Sequence, residues 1–218
     1  MTSAPGVVFS VSAAGQTVAE AEVADADGAR ALLAAARAAG AQLAWAHSHA
    51  DLAPLGFRPQ PGYRRSEAPA FRGPAGTDAG HVPPGQLPDH VGVLAPEEDS
   101  AALWARVFRG QWGHKTPQDW PLDLPEDTIT LCLRRDGEIA GLVRVEPATG
   151  LIDAPGLAPG FRAPDGYRRL LTAALGAAAG RPVTVESWGE PAELTAVAED
   201  LGLVTAEYMP GWELDLLT

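Results

Sequence analysis

The chain has 218 residues, 46% hydrophobic and 20% charged, enough apolar content to bury a core in one large domain or two small ones. Twenty-eight acidic against sixteen basic residues give a net charge of −12, so no basic field exists to collect phosphates, which argues against nucleic acid and anionic membranes as partners. The 24 Gly and 20 Pro stop short of a disordered composition, and Lys115 as the one lysine beside the arginines reads as GC-rich coding bias.

Met1 to Pro5 carry no basic and no apolar segment, so a signal peptide is not expected. No run approaches the roughly 18 apolar residues of a transmembrane helix, and the expected compartment is the cytoplasm. Two strand-like runs, Val7–Ser12 and Thr17–Val23, meet at an Ala14-Gly15 turn. A helix follows, with Asp25 or Asp27 as N-cap, Ala29, Leu32, Leu33 and Ala36 on one face, and Gly40 as its stop. Leu43–His47 reads as a short strand. His47-Ser48-His49 with Asp51 has metal-ligand residue types, but positions i and i+2 of a strand face opposite ways, and no metal is expected. Leu55-Gly56-Phe57 then leads to a last strand around Tyr63. Residues 68–88, dense in Pro and Gly and without period, read as a linker between a first part, 1–67, and a second, 89–218.

The second part starts with a strand at Val91–Leu94 and a helix, Ser100–Arg109, opened by Pro96-Glu97-Glu98-Asp99 and carrying Leu103, Trp104, Val107 and Phe108 on one face. A loop from Gly110 to Pro125 places Trp112 and Trp120 around His114, eight residues apart in register with Trp104. It reads as a hydrophobic loop over the core, with a lid on an acceptor pocket as the functional alternative. Thr128–Arg134 and Glu138–Val145 alternate around Arg135-Asp136-Gly137, a hairpin signal. Cys132, the single cysteine, excludes a disulfide framework and reads as a buried, inert thiol in a strand interior. A strand at Gly150–Leu157, a helix from Asp165 to about Ala179, a strand at Val183–Trp188, a helix at Ala192–Leu201 and an extended end at Leu203–Leu214 complete the chain.

The two parts share an order of elements. Each has a helix with a Leu pair, Leu32-Leu33 and Leu170-Leu171, then a strand, Leu43–Ser48 and Val183–Ser187. Each continues through a Leu-Gly-apolar step, Leu55-Gly56-Phe57 and Leu201-Gly202-Leu203, to a tyrosine, Tyr63 and Tyr208.

Leu157-Ala-Pro159-Gly-Phe-Arg162, followed by Gly166 and Leu170-Leu171, resembles the motif Val-x-Pro-x-x-Arg-Gly-x-Gly-x-Gly-x-x-Leu-Leu of the GCN5-related N-acetyltransferases (GNAT). The element order from Val91 to Leu214 is similar to that family over most of its length, and the first part resembles the back half of a second, truncated and degenerate copy in tandem. The resemblance implies an α/β (α+β) fold: a mixed, mostly antiparallel sheet flanked by helices, preceded by a partial GNAT-like half. A half of two to four strands cannot bury its sheet face alone, so docking on the second part or on a second chain, as a homodimer, is expected.

The resemblance further implies transfer of an acyl group, acetyl or another, from acyl-CoA to a primary amine of a small molecule. Leu157, Arg162, Asp165, Gly166, Tyr167 and Arg168 would hold the coenzyme, because a Gly-rich turn into a helix N-terminus offers N–H groups to a pyrophosphate. Glu146 and Asp153 are the candidate bases acting through water, with Glu186 the third carboxylate available and a solvated or capping role as the alternative reading. Three positions depart from the family: Asp165 and Tyr167 stand where it has Gly, and Ala198 where many members have Tyr. Asp165 is also a natural N-cap, whose carboxylate would occupy the amides a phosphate needs. These departures motivate the alternative function, a non-catalytic GNAT-derived binding or assembly module. An opening between the strands near Leu157 and Val183 that is plugged by Tyr167 or Trp188 would favour it.

Overall fold

Strand β1 (Val8–Val11) turns back into β2 (Thr17–Glu22), and helix α1 (Ala26–Ala38) crosses to β3 (Leu43–His47), which runs parallel to β2. Of the two candidate caps, Asp25 serves: its Oδ1 accepts from the amides of Asp27 and Gly28 at 3.0 and 2.9 Å. A single 3-10 turn, Ala53–Leu55, leads into β4 (Arg58–Ala68). The second part runs β5 (Val91–Val93), α2 (Ala101–Val107), β6 (Ile129–Arg135), β7 (Glu138–Glu146), β8 (Leu151–Leu157), α3 (Pro164–Ala177), β9 (Val183–Trp188), α4 (Ala192–Asp200) and β10 (Val204–Asp215). Asp136 and Gly137, with φ of 51° and 82°, close the β6–β7 hairpin in the left-handed conformation that such turns require. This computed structural model describes residues 6–12, 15–69, 87–109, 111, 127–178, 181–189 and 191–217, so the Trp112, His114 and Trp120 loop and residues 70–86 of the expected linker lie outside the described residues. Among the described residues no helix is long and apolar enough to cross a membrane.

The ten strands among the described residues form one sheet, ordered β1-β2-β3-β10-β4-β9-β8-β7-β6-β5 and antiparallel except at β2–β3 and β8–β9. Exchanging β1 with β7, β2 with β8, β3 with β9 and β4 with β10 turns the order from β1 to β7 into its own reverse. The centre is therefore a reciprocal exchange: β4 pairs with β9 of the second part, and β10 pairs with β3 of the first. The α4 segment corresponds under this exchange to the 3-10 turn, and both end in a left-handed glycine, Gly56 (φ 89°) and Gly202 (φ 83°). These are the glycines of the two Leu-Gly-apolar steps.

Two further glycines fix how closely β4 and β10 cross. A Cβ on Gly62 would lie 1.9 Å from the Met209 carbonyl oxygen, and one on Gly211 would lie 2.8 Å from that of Pro61. A register shift at this crossing, where Tyr63 and Gln60 face Met209 and Gly211, accommodates Pro61, which a regular central strand excludes.

Strand alternation assigns the two faces. Ala44 and Ala46 of β3 and Trp212 of β10 pack with the apolar stripe of α1, Ala29, Leu32, Leu33 and Ala36. Leu131, Val143, Ile152, Val183 and Val185 pack with α3 and α4 on the same face. Cys132 and Leu142 point the other way, onto Leu103, Trp104, Val107 and Phe108 of the α2 segment. Asp99 fastens that segment, accepting from Trp104 Nε1 at 2.6 Å and Thr130 Oγ1 at 3.2 Å.

Because the Gly62 contact is with backbone, which has little room to yield, Gly62→Ala should lower stability by about 3 kcal/mol. Urea denaturation would show this as an earlier midpoint; an unchanged midpoint would mean that the strands do not cross this closely.

Candidate active site at the β8–β9 opening

The two parallel pairs differ at their ends. β2 and β3 stay in register over five residue pairs, from Val18↔Leu43 to Glu22↔His47. β8 and β9 pair only at Leu151↔Thr184, Ile152↔Val185 and Asp153↔Glu186, and the ladder then stops. At that point β8 holds one extra residue against β7, since Leu142 and Arg144 face Gly156 and Asp153. Pro155, which has no N–H to donate, sits in this bulge. The Ala158 amide bonds to Ala140 O on β7, so by alternation the N–H and C=O of Leu157 face the opening.

The rows of the sheet carry charge across the α2 face at the apex of the opening. Thr130, Arg144, Asp153, Glu186, Arg65 and Glu207 oppose one another in turn on β6, β7, β8, β9, β4 and β10. Two adjacent carboxylates, Asp153 and Glu186, thus lie between two arginines, which offsets their repulsion. Arg144 is buried under the Trp104 ring at 4.3 Å, and burial pulls its guanidinium below its ordinary range while Asp99 and Asp153 oppose that shift. Tyr63, brought in by the exchanged strand β4, donates to Glu186 Oε1 at 3.0 Å. Burial first, and the bond to Glu186 second, push its phenol up to about 12.

Sequence reasoning places Asp153 here, and the structure adds Glu186 and Tyr63, the first weighed only as an available carboxylate and the second only as a repeat marker. Glu146 is not brought to the opening: it ends β7 in the β7–β8 turn, where Oε2 accepts from Thr149 Oγ1 at 3.1 Å. Asp165 does not cap α3, contrary to expectation. The N-cap is Ala163, no side chain caps the helix, and Pro164 takes the first position. The Asp165 carboxylate instead accepts from Arg169 Nε and Arg135, both at 2.9 Å, and these partners hold it below its ordinary range.

Gly166 and Tyr167 likewise serve packing. A Cβ on Gly166 would lie 2.8 Å from the Leu157 side chain, and Tyr167 is fully buried in the core under α3. Arg168 pairs with Asp200 of α4 at 2.7 Å, and Arg162 spans Leu157 O at 3.1 Å and Arg109 O at 2.5 Å. Trp188 leans away from β8, onto Tyr63 at 4.8 Å and His47 at 5.1 Å between ring centroids. Cys132 is buried between strand neighbours, and burial pushes its thiol up.

A parallel β-α-β pair that separates at a bulge, inside a mostly antiparallel sheet with helices on both faces, is the arrangement of the GNAT fold, and this chain has that fold. A GCN5-related N-acetyltransferase from Sphaerobacter thermophilus matches with a TM-score of 0.52 at 15% identity, over 86% of this chain and 65% of that one. A conserved protein of unknown function from Staphylococcus epidermidis matches at 0.53 and 11%, over 92% and 84%. A GCN5-related N-acetyltransferase from Anabaena variabilis matches at 0.50 and 8%, over 95% and 57%. Against both N-acetyltransferases the chain spans less than two thirds of the matched length. No protein-family model matches the sequence, and comparison with curated proteins returns no match.

The raised phenol carries a pH signature. Below pH 10 Tyr63 is protonated folded or unfolded; between about 10 and 12 the unfolded chain ionises while the folded one does not, so stability falls across that window. The loss with pH should be steeper in the native chain than in Tyr63→Phe, and the ultraviolet difference between the two should show a phenol ionising near pH 12. A midpoint near 10 would contradict the Tyr63–Glu186 contact.

Proposed function

We propose that the chain transfers an acyl group from acyl-CoA to an amine, at the β8–β9 opening of its second part. One observation carries this reading: of the two parallel pairs, only β8–β9 separates, and it does so beside two carboxylates. The residues present suit the co-substrate in backbone and charge. A pantetheine arm is a chain of amides, and the outward N–H and C=O of Leu157 match it, with Arg162 sharing the carbonyl. The uncapped first turn of α3 suits the pyrophosphate, where Arg135, Arg162, Arg168 and Arg169 outnumber Asp165 and Asp200.

When bound, acyl-CoA supplies an electrophilic thioester carbon and a thiolate leaving group. Holding the amine against it supplies most of the acceleration. Asp153 and Glu186 would take the proton that the amine nitrogen loses, directly or through water, and Tyr63 fixes the Glu186 carboxylate. We read the enzyme as cytoplasmic, its acceptor as a small-molecule amine, and residues 1–67 as the truncated second copy, a reading supported by the palindromic strand order.

A second reading, a non-catalytic binding module, is favoured by a specific observation. The chain's own side chains hold two carbonyls of β8 beyond the ladder: Arg162 holds Leu157 O, and buried Gln111 donates to Pro155 O at 3.1 Å. Isothermal titration with acetyl-CoA separates the readings. Saturable binding below millimolar coenzyme is expected, and Asp165→Asn, by releasing Arg135 and Arg169, should tighten it about two- to fivefold. No heat at millimolar coenzyme in either protein would overturn acyl transfer and leave the binding module.

A further inference from the structure

On the α2 face, beside the crossing of the exchanged strands, four aromatic rings gather: Trp45, His47, Tyr63 and Trp188. His47 and Trp188 stand in equivalent places on β3 and β9 and meet edge to face, with centroids 5.1 Å apart. Tyr63 lies 4.8 Å from Trp188, and Trp45 lies 6.2 Å from His47 with its ring edge against Gly211. Carboxylates flank the cluster on both sides: Glu20 bonds to His47 Nε2 at 2.9 Å, and Glu186 bonds to Tyr63.

Glu20 fixes which ring nitrogen of His47 donates. A carboxylate only accepts, so Nε2 carries a proton, and in the singly protonated ring Nδ1 keeps a lone pair. That lone pair is buried and has no hydrogen-bond partner, in a side chain only 9% exposed. A buried acceptor without a donor is destabilising, and a ligand N–H would remove that penalty. Tyr63, Glu186 and Trp188 are half-buried, so the cluster grades from the enclosed His47 to partly exposed side chains, of which Glu186 faces Asp153 at the end of the β8–β9 ladder.

We propose that His47 Nδ1 is the receiving end of an ammonium subsite: one N–H of a primary ammonium bonds to Nδ1, Trp188 and Tyr63 supply ring faces, and Glu20 and Glu186 supply opposite charge. This rests on the acyl-transfer reading and specifies its acceptor as a primary amine that arrives protonated. Glu20 acts through His47, as a positioning residue that fixes the tautomer. It also assigns a part to the first half of the chain, whose parallel pair β2–β3 stays closed: it provides His47, Glu20 and Tyr63 to the site of the second half.

The test needs no coenzyme, so its outcome is separate from the acetyl-CoA titration. Long-range 1H–15N spectra of the histidine rings, with His47→Gln to assign the signal, are recorded at neutral pH with n-butylammonium, tetramethylammonium and n-butanol. The expected result is a saturable shift of His47 Nδ1 with n-butylammonium alone, and butylammonium affinity about fivefold weaker in Glu20→Gln by calorimetry. No shift with n-butylammonium would overturn the subsite. An equal shift with tetramethylammonium, which has no N–H, or with uncharged n-butanol would overturn it as well.

Discussion

Sheet hydrogen bonding between β4 and β10 holds this molecule together, because each of those strands completes the sheet of the other half. If β4 is removed, β9 and β10 each lose a partner, leaving rows of N–H and C=O groups without bonds. The exchange therefore makes the halves mutually dependent, although each has its own helix layer and apolar cluster. Gly62 and Gly211 are the local condition for it, since any side chain at the crossing would push the backbones apart. Gly211 also leaves room for the edge of the Trp45 ring.

Equivalent topology does not produce equivalent chemistry in the two halves. In the first, β2 and β3 bond to the end of the ladder, and Val23 N continues it to His47 O. In the second, the bulge at Pro155 ends the ladder three pairs in and turns the Leu157 backbone towards a gap. A backbone edge can receive an amide-rich ligand only where its own partner strand has left it. Helix α4 shows the same asymmetry: nine residues over the second half, against a single 3-10 turn in the first.

Local signals in the sequence are mostly legible in the fold. Leu43–His47 and Val183–Trp188 are strands over the expected residues, Asp25 caps α1, and Asp136-Gly137 turns the hairpin. These features depend on neighbours in the chain, which a sequence displays. β4 was legible only around Tyr63 because Pro59 and Pro61 argue against a central strand, and a partner on β10 that is distant in sequence overrides them. The site was partly legible for the same reason. Asp153 and the Leu157 turn follow from local pattern, whereas Tyr63 meets Glu186 across 123 positions of chain. Asp165 was misjudged as a cap because Pro164, equally suited to start a helix, moves the N-cap to Ala163. Glu20 left no such signal, because in Ala19-Glu20-Ala21-Glu22 the acids alternate with buried alanines as they do on a solvated face.

Strands β4 and β10 form one cooperative unit, and native-state hydrogen exchange measures that directly. Amides of Arg58–Ala68 and Val204–Asp215 that bond within the sheet should exchange in the slowest class, with the same free energy of opening and the same dependence on denaturant. If β4 exchanged through a smaller, separate opening while β9 and β10 stayed protected, the second half would be a self-sufficient domain and the exchange of strands would not be what binds the molecule.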